Sequence, residues 1–462
     1  MILRPYQQDD IARIRAAYAN GAQRVLYEAP TGSGKTVLFA TVVAGAAARG
    51  TRVCILGHRD EIVRQIADAL TELGVAHGII AAGYPETPEA SVQVASVATL
   101  VRRLHRLDPP PDLLVPDEAH HCAANTWRKI INSVPEAKIL GVTATPQRLD
   151  GKGLSDIFDT LIIGPSVESL IQQNYLCDFT TYAPAREVDL SKVHTRAGDY
   201  AIDELAQAMS KSVIVETAVH EYVRLCPGVP AIAFCVDIAH SELVAAAFTA
   251  RGFRAAHVDG TTPAAERRAL IAALGTGAIQ VLCNCGLISE GLDVPVVTAA
   301  ILLRPTKSLA LHLQQVGRCL RPAPGKAKAL ILDHAGNTFR FGPADLERAW
   351  SLEGKAGKGE ALPPMQRCTG CGAIIPAAAM TCTECGTVLR VPKPRTPHTE
   401  RAGATLVATD RLATMSYGQA LRWAGGDRDR LHLVARARGY KPGWVYYRLQ
   451  ELAEAASTLK GM

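Results

Sequence analysis

Ala29-Pro30-Thr31-Gly32-Ser33-Gly34-Lys35-Thr36 follows the apolar run Val25-Leu26-Tyr27 and opens a helix-like segment from Val37 to Ala48. A strand, a glycine-rich turn and a helix start, in that order, build a cradle for phosphate. Gly32 and Gly34 allow positive φ, so successive N–H groups of the Pro30–Thr36 loop can converge on one anion, and the helix N-terminus adds its partial positive charge. Lys35 supplies a mobile cation and the Thr36 hydroxyl a ligand for Mg²⁺. Ala29 stands where the pattern G-x-x-x-x-G-K-[ST] has its first glycine.

Outward from this loop, Arg52-Val53-Cys54-Ile55-Leu56 and Val92-Gln93-Val94-Ala95-Ser96-Val97 read as buried strands separated by helical patterns. That alternation predicts a parallel, doubly wound α/β sheet whose ligands lie beyond the carboxyl ends of its strands, a rim that would carry His58, Arg59 and Ser96. Leu113-Leu114-Val115-Pro116 runs into Asp117-Glu118-Ala119-His120, a strand ending in two carboxylates and an imidazole. Asp117 can hold the hydrated Mg²⁺ that Thr36 touches, and Glu118 can orient and deprotonate a water. Ile139 to Val142 then leads into the hydroxyl-rich turn Thr143-Ala144-Thr145. Ahead of the loop, the Gln7 amide offers a donor beside an acceptor, which matches the N6/N7 edge of adenine.

Residues from about 165 to 212 lack sheet-like alternation and read as a connection with a small insertion. A second α/β unit follows, with strands at Pro230–Cys235, Ala255–Val258, Ile279–Asn284 and Ala299–Leu303; the second of these leads to a phosphate-contacting turn at Gly260-Thr261. In Gln314-Gln315-Val316-Gly317-Arg318-Cys319-Leu320-Arg321 the two arginines share one face of a helical turn. Guanidinium groups stabilise charge on a transferring phosphoryl group, an effect of ~10³ to 10⁵ in rate. Because these arginines belong to the second unit, the site is complete only when the two units close.

Taken in order, the phosphate loop, Asp117-Glu118-Ala119-His120, Thr143-Ala144-Thr145 and Gln314 to Arg321 resemble motifs I, II, III and VI of superfamily 2 helicases of the DEAD/DEAH-box type, and the stretch around Gly291 and Asp293 is similar to motif V. The resemblance spans residues 3 to 321. It implies two tandem RecA-like parallel-sheet domains that use ATP and Mg²⁺. It also implies roles: Gln7 reads adenine with Arg4 or Tyr6 nearby, Lys35 and Thr36 hold phosphate and Mg²⁺, Asp117 holds the metal and Glu118 the water. Gln314 belongs to the catalytic set, with Arg318 and Arg321 as arginine fingers. Gly291 and Asp293 approach the ribose, and His120, Thr143 and Thr145 link hydrolysis to the nucleic-acid groove. The domain reading is 1–165 and 212–340 for the two RecA-like units, 166–211 for a linker with an insertion, 360–390 for a zinc ribbon and 399–462 for a basic helical C-terminal domain.

Cys368-x2-Cys371 and Cys382-x2-Cys385 have the form of a zinc ribbon, four thiolates closing a tetrahedral structural site for Zn²⁺. The other eight cysteines lie in apolar or mixed stretches, where a small buried thiol is expected. Net charge is +6, but residues 386–462 carry +7 and the remainder −1, so the basic excess belongs to the tail. There, Arg422-Trp423, Arg428, Arg430 and Arg436 to Arg448 mix cations with aromatics. This is either a nucleic-acid or partner surface, or a helical pair whose Trp and Tyr make its own core. Motor, ribbon and basic tail together resemble the RadD-type bacterial repair helicases and their phage relatives. The expected partner is DNA, with RNA as the alternative, and a single-strand-binding or repair protein as a further partner. A rival reading is an ATP-gated adaptor that clamps nucleic acid without unwinding it. No apolar run reaches the ~18 residues a membrane span needs, and Met1-Ile2-Leu3-Arg4-Pro5 is unlike a signal peptide, so a cytoplasmic protein without membrane contact is expected.

Overall fold

The computed structural model describes residues 2–148, 151–183, 188–196, 198–287, 294–354, 362–390, 412, 414–441 and 443–460. The chain divides into two compact units between Val391 and Pro392.

The first unit holds two parallel sheets. Strands β1 (Arg24–Glu28), β2 (Val53–Gly57), β3 (Gly78–Ile80), β4 (Val92–Ser96), β5 (Leu113–Pro116), β6 (Lys138–Thr143) and β7 (Thr160–Ile163) form the first, in the order β3-β4-β2-β5-β6-β1-β7. Both faces are dry. Val25, Tyr27, Val53, Ile55, Val92, Val94 and Val142 face one way, under the helices Pro5–Ala19, Lys35–Ala47 and Asp60–Glu72. Leu26, Cys54, Leu56, Ala95, Leu114 and Ile139 face the other, against the helix Asn125–Ser133. A side-chain period of two with both halves apolar is what a sheet covered on both sides requires. Register then aligns the chemistry: Glu28 pairs with Thr143, so the phosphate loop and the hydroxyl turn leave neighbouring strands side by side. Pro116 closes β5 opposite Leu56, and the next residue, Asp117, donates its N–H to the Leu56 carbonyl in its place.

The second sheet contains β8 (Phe179–Tyr182), β11 (Ala231–Cys235), β12 (Ala255–Val258), β13 (Val281–Cys285), β14 (Ala299–Leu302) and β15 (Ala329–Asp333), ordered β12-β13-β11-β14-β15-β8. A two-residue hairpin, β9 (Thr195–Arg196) and β10 (Asp199–Tyr200), lies between β8 and β11 in the chain. The stretch 166–211 is thus more than a linker. It supplies the edge strand β8, parallel to β15, and a helix, Ile202–Met209, whose Leu205 and Met209 enter the second core. A four-residue Phe-Thr-Thr-Tyr strand at a sheet edge is too short to display a period, which explains why alternation was not visible there.

Strands β16 (Met365–Arg367) and β17 (Ile374–Pro376) form the cysteine-bearing ribbon, which abuts β8. In the second unit, the helices Tyr417–Ala424, Arg428–Ala437 and Trp444–Lys460 close over Leu412, Ala420, Ala424, Leu431, Val434 and Val445. No helix among the described residues is long and apolar enough to cross a membrane.

Candidate active site

The phosphate loop leaves β1 with Gly32 at φ +88° and Gly34, the cap of the following helix, at φ +82°. It is folded onto its own lysine: the Lys35 amine donates to the carbonyls of Ala29 at 3.0 Å and Pro30 at 3.2 Å. Burial lowers the pKa of that ammonium, while Glu118, Asp117 and Glu28 push it back up and Arg318 pushes it down. The charge on Lys35 is thus felt by carboxyl groups of the first lobe and by a guanidinium from the second. Ser33 Oγ is buried and makes no hydrogen bond among the described residues, as expected of a group facing an anion site.

Glu118 adopts a left-handed backbone, φ +53°, which costs a non-glycine residue ~1 to 3 kcal/mol and recurs at functional sites. Its N–H donates to Asp117 Oδ1 at 3.0 Å, and its Oε2 lies 3.4 Å from His120 Nδ1. The same His120 nitrogen is 3.0 Å from Thr143 Oγ1, which donates to the Thr145 carbonyl. His121 stacks on Trp127, and its ring is tilted against His120 at 4.2 Å and against His58 at 4.8 Å between ring centres. A continuous polar and aromatic path thus joins the acidic pair to the hydroxyl turn and to the end of β2.

From the second sheet, the helix Leu309–Gly317 brings Gln314 and Arg318, both buried, to the loop. Gly317 is required here. A Cβ on it would sit 2.5 Å from Thr31 Cβ, so only glycine lets this helix end approach. Beside it, the Arg321 stem lies 3.6 Å from the position of a Cβ on Gly32. Across the rest of the cleft, Arg59 donates to the carbonyls of Gly286 at 2.9 Å and Leu287 at 3.2 Å, and Glu61 pairs with Arg267 at 2.5 Å. Arg59 therefore joins the two lobes as well as standing on the strand rim. Ser96 ends β4 on that rim. Gly260 and Thr261 are on an exposed turn, the Thr261 hydroxyl tied to Asp259 at 2.7 Å. Gly291 and Asp293 lie outside the described residues.

At the other end of the loop, Gln7 Nε2 donates to the Gly34 carbonyl at 3.1 Å and its Oε1 accepts the Arg4 N–H at 2.9 Å. The amide expected to face a base is thus engaged with the loop itself. The Tyr6 hydroxyl donates to the Ser33 carbonyl, and the Arg4 guanidinium lies 4.5 Å above the Tyr175 ring. Tyr175 was not foreseen, because it falls in the stretch without periodicity and carries no motif.

Two further residues were also missed. Glu28, at the end of β1, is buried, and desolvation pushes its carboxyl up to about 8 against the pull of Lys35 and Arg348. Burial in turn holds Arg348 down at about 10. Both line a cavity of about 280 Å³ with Thr31, Gly164, Leu320 and Trp350. Glu28 holds its proton in the folded chain up to about pH 8 but ionises near 4.5 when unfolded, so across that window folding takes up a proton and stability falls as pH rises. Glu28→Gln removes this dependence. Its melting temperature is expected to exceed that of the wild type above about pH 8 and to match it near about pH 4; equal melting temperatures at both would show that Glu28 is ionised when folded.

The four ribbon cysteines bring their sulfurs within 4.8 Å of one another, with Cys368–Cys385 at 3.6 Å and Cys371–Cys382 at 3.8 Å. A zinc ion with Zn–S bonds of about 2.3 Å has sulfur–sulfur edges of about 3.8 Å, so the set fits a closed tetrahedral site. The knuckle is fastened to the second sheet: Ala183 N–H donates to the Gly372 carbonyl at 3.1 Å, and Glu384 accepts from Thr180 and Lys328, each at 2.9 Å. Seven of the remaining cysteines are buried, and Cys285 is half-buried. In the helical unit the aromatics divide. Trp423, Tyr440 and Trp444 pack on its own core, while Tyr446 and Tyr447 are exposed.

Residues 1–148 match the family described as type III restriction enzyme, res subunit, and residues 215–323 match the helicase conserved C-terminal domain. A 51.5 kDa protein of a Lactococcus phage is 35% identical over 365 residues, covering 78% of this chain and 77% of the phage protein. The Saccharomyces cerevisiae protein named "Putative ATP-dependent helicase IRC3" is 32% identical over 355 residues, covering 72% of this chain and 52% of its own length. The chain thus spans about half of that yeast relative. Among solved structures, the fragment of "a putative HsdR subunit of a type I restriction enzyme" from Vibrio vulnificus has a TM-score of 0.59 at 22% identity, covering 75% of this chain and 66% of that one. That likeness speaks for the fold, two tandem RecA-like domains.

Proposed function

Because the chain belongs to the superfamily 2 helicases, we propose that it is an ATP-driven helicase or translocase acting on DNA. The observation that carries this reading is the close approach of the second lobe to the phosphate loop, Gly317 against Thr31 and the Arg321 stem beside Gly32, with Arg318 following Gly317 at the end of the same helix. Preference for DNA is supported by the restriction-enzyme family that residues 1–148 match.

In this account the β- and γ-phosphates of ATP replace the Ala29 and Pro30 carbonyls as partners of Lys35, and the N–H groups from Gly32 to Thr36 close around them. Gln7, Arg4 and Tyr6 flank the base side. Mg²⁺, for which Thr36 and Asp117 are the fitting ligands, would neutralise phosphate charge. Glu118 takes the proton of the attacking water. Arg318 and Arg321 hold the γ-phosphoryl group from the far side, so its departure loosens the second lobe. His120, Thr143 and Thr145 carry the change in Glu118 toward the strand rim, where nucleic acid would lie. Cys368, Cys371, Cys382 and Cys385 would hold a structural zinc ion, which would stiffen an extension of the second lobe.

The test is the ATPase rate of the full chain, at fixed ionic strength, against single-stranded, duplex and forked DNA and against RNA. Stimulation by DNA above RNA is expected. Equal or greater stimulation by RNA would overturn the DNA assignment, and a rate indifferent to every nucleic acid would overturn the motor.

A further inference from the structure

After its last helical turn, Asn337–Phe341, the second lobe sends a segment back to the first. Residues 345 to 354 cross the cleft and end against residues 151–155, which follow the hydroxyl turn. The Leu352 carbonyl accepts the N–H groups of both Leu154, at 2.7 Å, and Ser155, at 3.0 Å, and Lys152 and Gly354 form an antiparallel bridge. The Leu352 side chain packs on the first lobe's core cluster, which includes Leu154, Ile157 and Phe158, and Ser155 Oγ donates to Glu353 at 3.1 Å. Two glycines face each other at this crossing. Gly354 has φ +86°, and a Cβ on it would lie 2.7 Å from the Gly151 carbonyl; a Cβ on Gly153 would fall inside the Leu352 carbonyl. Backbone therefore meets backbone, with no room for a methyl group on either side.

The segment 151–155 so gripped continues the catalytic path. Arg148 N–H donates to the Lys152 carbonyl at 2.8 Å, and its guanidinium pairs with Asp156 at 2.6 Å. Three residues upstream of Arg148 lies Thr145, whose N–H and carbonyl both engage the Thr143 hydroxyl, which in turn meets His120 beside Glu118. At the other end of the segment, Arg348 donates to the carbonyls of Phe341, Pro343 and Leu346, which fastens it to the second lobe.

We propose that residues 345–354 form a strap that positions, from the second lobe, the hydroxyl turn and the segment 151–155 after it, and that this strap carries the coupling between nucleic acid and ATP hydrolysis. Leu352, Gly153 and Gly354 are its positioning residues. The inference rests on the nucleic-acid-stimulated ATPase proposed above. Its physical basis is that a docked strap makes the position of the Thr143–Thr145 turn depend on the second lobe, whereas a released strap leaves that turn governed by the first lobe alone. Leu352 and Gly354 take their anchors from the backbone of residues 152–155 and the cluster around Phe158, so hydrolysis without nucleic acid is not expected to depend on these two residues.

The test uses the full chain carrying Gly354→Ala and, separately, Leu352→Ala, which removes the apolar anchor without placing a methyl group at the crossing. Three quantities are read: amide exchange at Leu154 and Ser155, ATPase without nucleic acid, and the factor by which DNA stimulates it. Loss of amide protection, an unchanged basal rate and a fall in stimulation on the order of tenfold are expected. Stimulation kept at the wild-type factor with the amides unprotected would overturn the coupling role. Amides still protected in Gly354→Ala would overturn the crossing itself. A wild-type chain that DNA does not stimulate would instead defeat the proposed function, leaving the two failures distinct.

Discussion

Glu118→Gln is expected to yield a protein that binds ATP with wild-type affinity and hydrolyses it about 10² to 10⁴ times more slowly. The argument begins with shape. Glutamine keeps the size of the side chain, can sit in the same left-handed backbone at φ +53°, and retains an oxygen for the contact with His120 at 3.4 Å. What it cannot do is take a proton from water. Lys35, Thr36 and the loop N–H groups, which would hold the triphosphate, are untouched, and loss of one negative charge beside Lys35 makes the site more receptive to an anion. Binding and turnover should therefore separate, with nucleotide retained on the protein in a filter or fluorescence assay while phosphate release nearly stops. A kcat within a factor of about two of wild type would remove Glu118 from the role of base.

Much of this site was legible because its chemistry is local. Eight consecutive residues suffice to describe a phosphate loop, and Asp117 and Glu118 follow an apolar strand directly, so spacing along the chain coincides with spacing in space. The central strands were equally plain, since burial on both faces leaves an unbroken apolar run. Edges and returns were not. β8 is four residues long with two threonines in its middle, and it becomes a strand only because β15 offers it a free edge. Tyr175 and Arg348 acquire meaning only from Arg4 and Glu28, which stand far from them in sequence. Gly354 looks like a loop glycine until Gly153 is found opposite it. Arg59 follows the end of β2, where the sequence reading places the rim. Its bonds to Gly286 and Leu287 depend on how closely the lobes approach, and no local pattern encodes that.

The second large effect is expected from Arg318→Ala, which should lower kcat by about 10³ to 10⁵ while changing ATP affinity far less. Arg318 is 6% exposed and lies close enough to Lys35 to depress its pKa, although one belongs to each lobe. In the ground state the triphosphate is already held by the loop, so losing a cation from the far wall costs little binding. In the transition state charge moves onto the oxygens of the γ-phosphoryl group, where a fixed guanidinium from outside the loop matters most. Arg318→Lys should recover little, because an ammonium on a flexible stem lacks the planar pair of donors. A folding defect is told apart by thermal unfolding: Arg318→Ala should melt as the wild type does while its turnover falls. The discriminating readout is kcat against KM. A rise in KM at constant kcat would mean that Arg318 only helps to hold substrate. Full activity in Arg318→Ala would mean that the first lobe hydrolyses ATP alone, and domain closure would then have no chemical step to report.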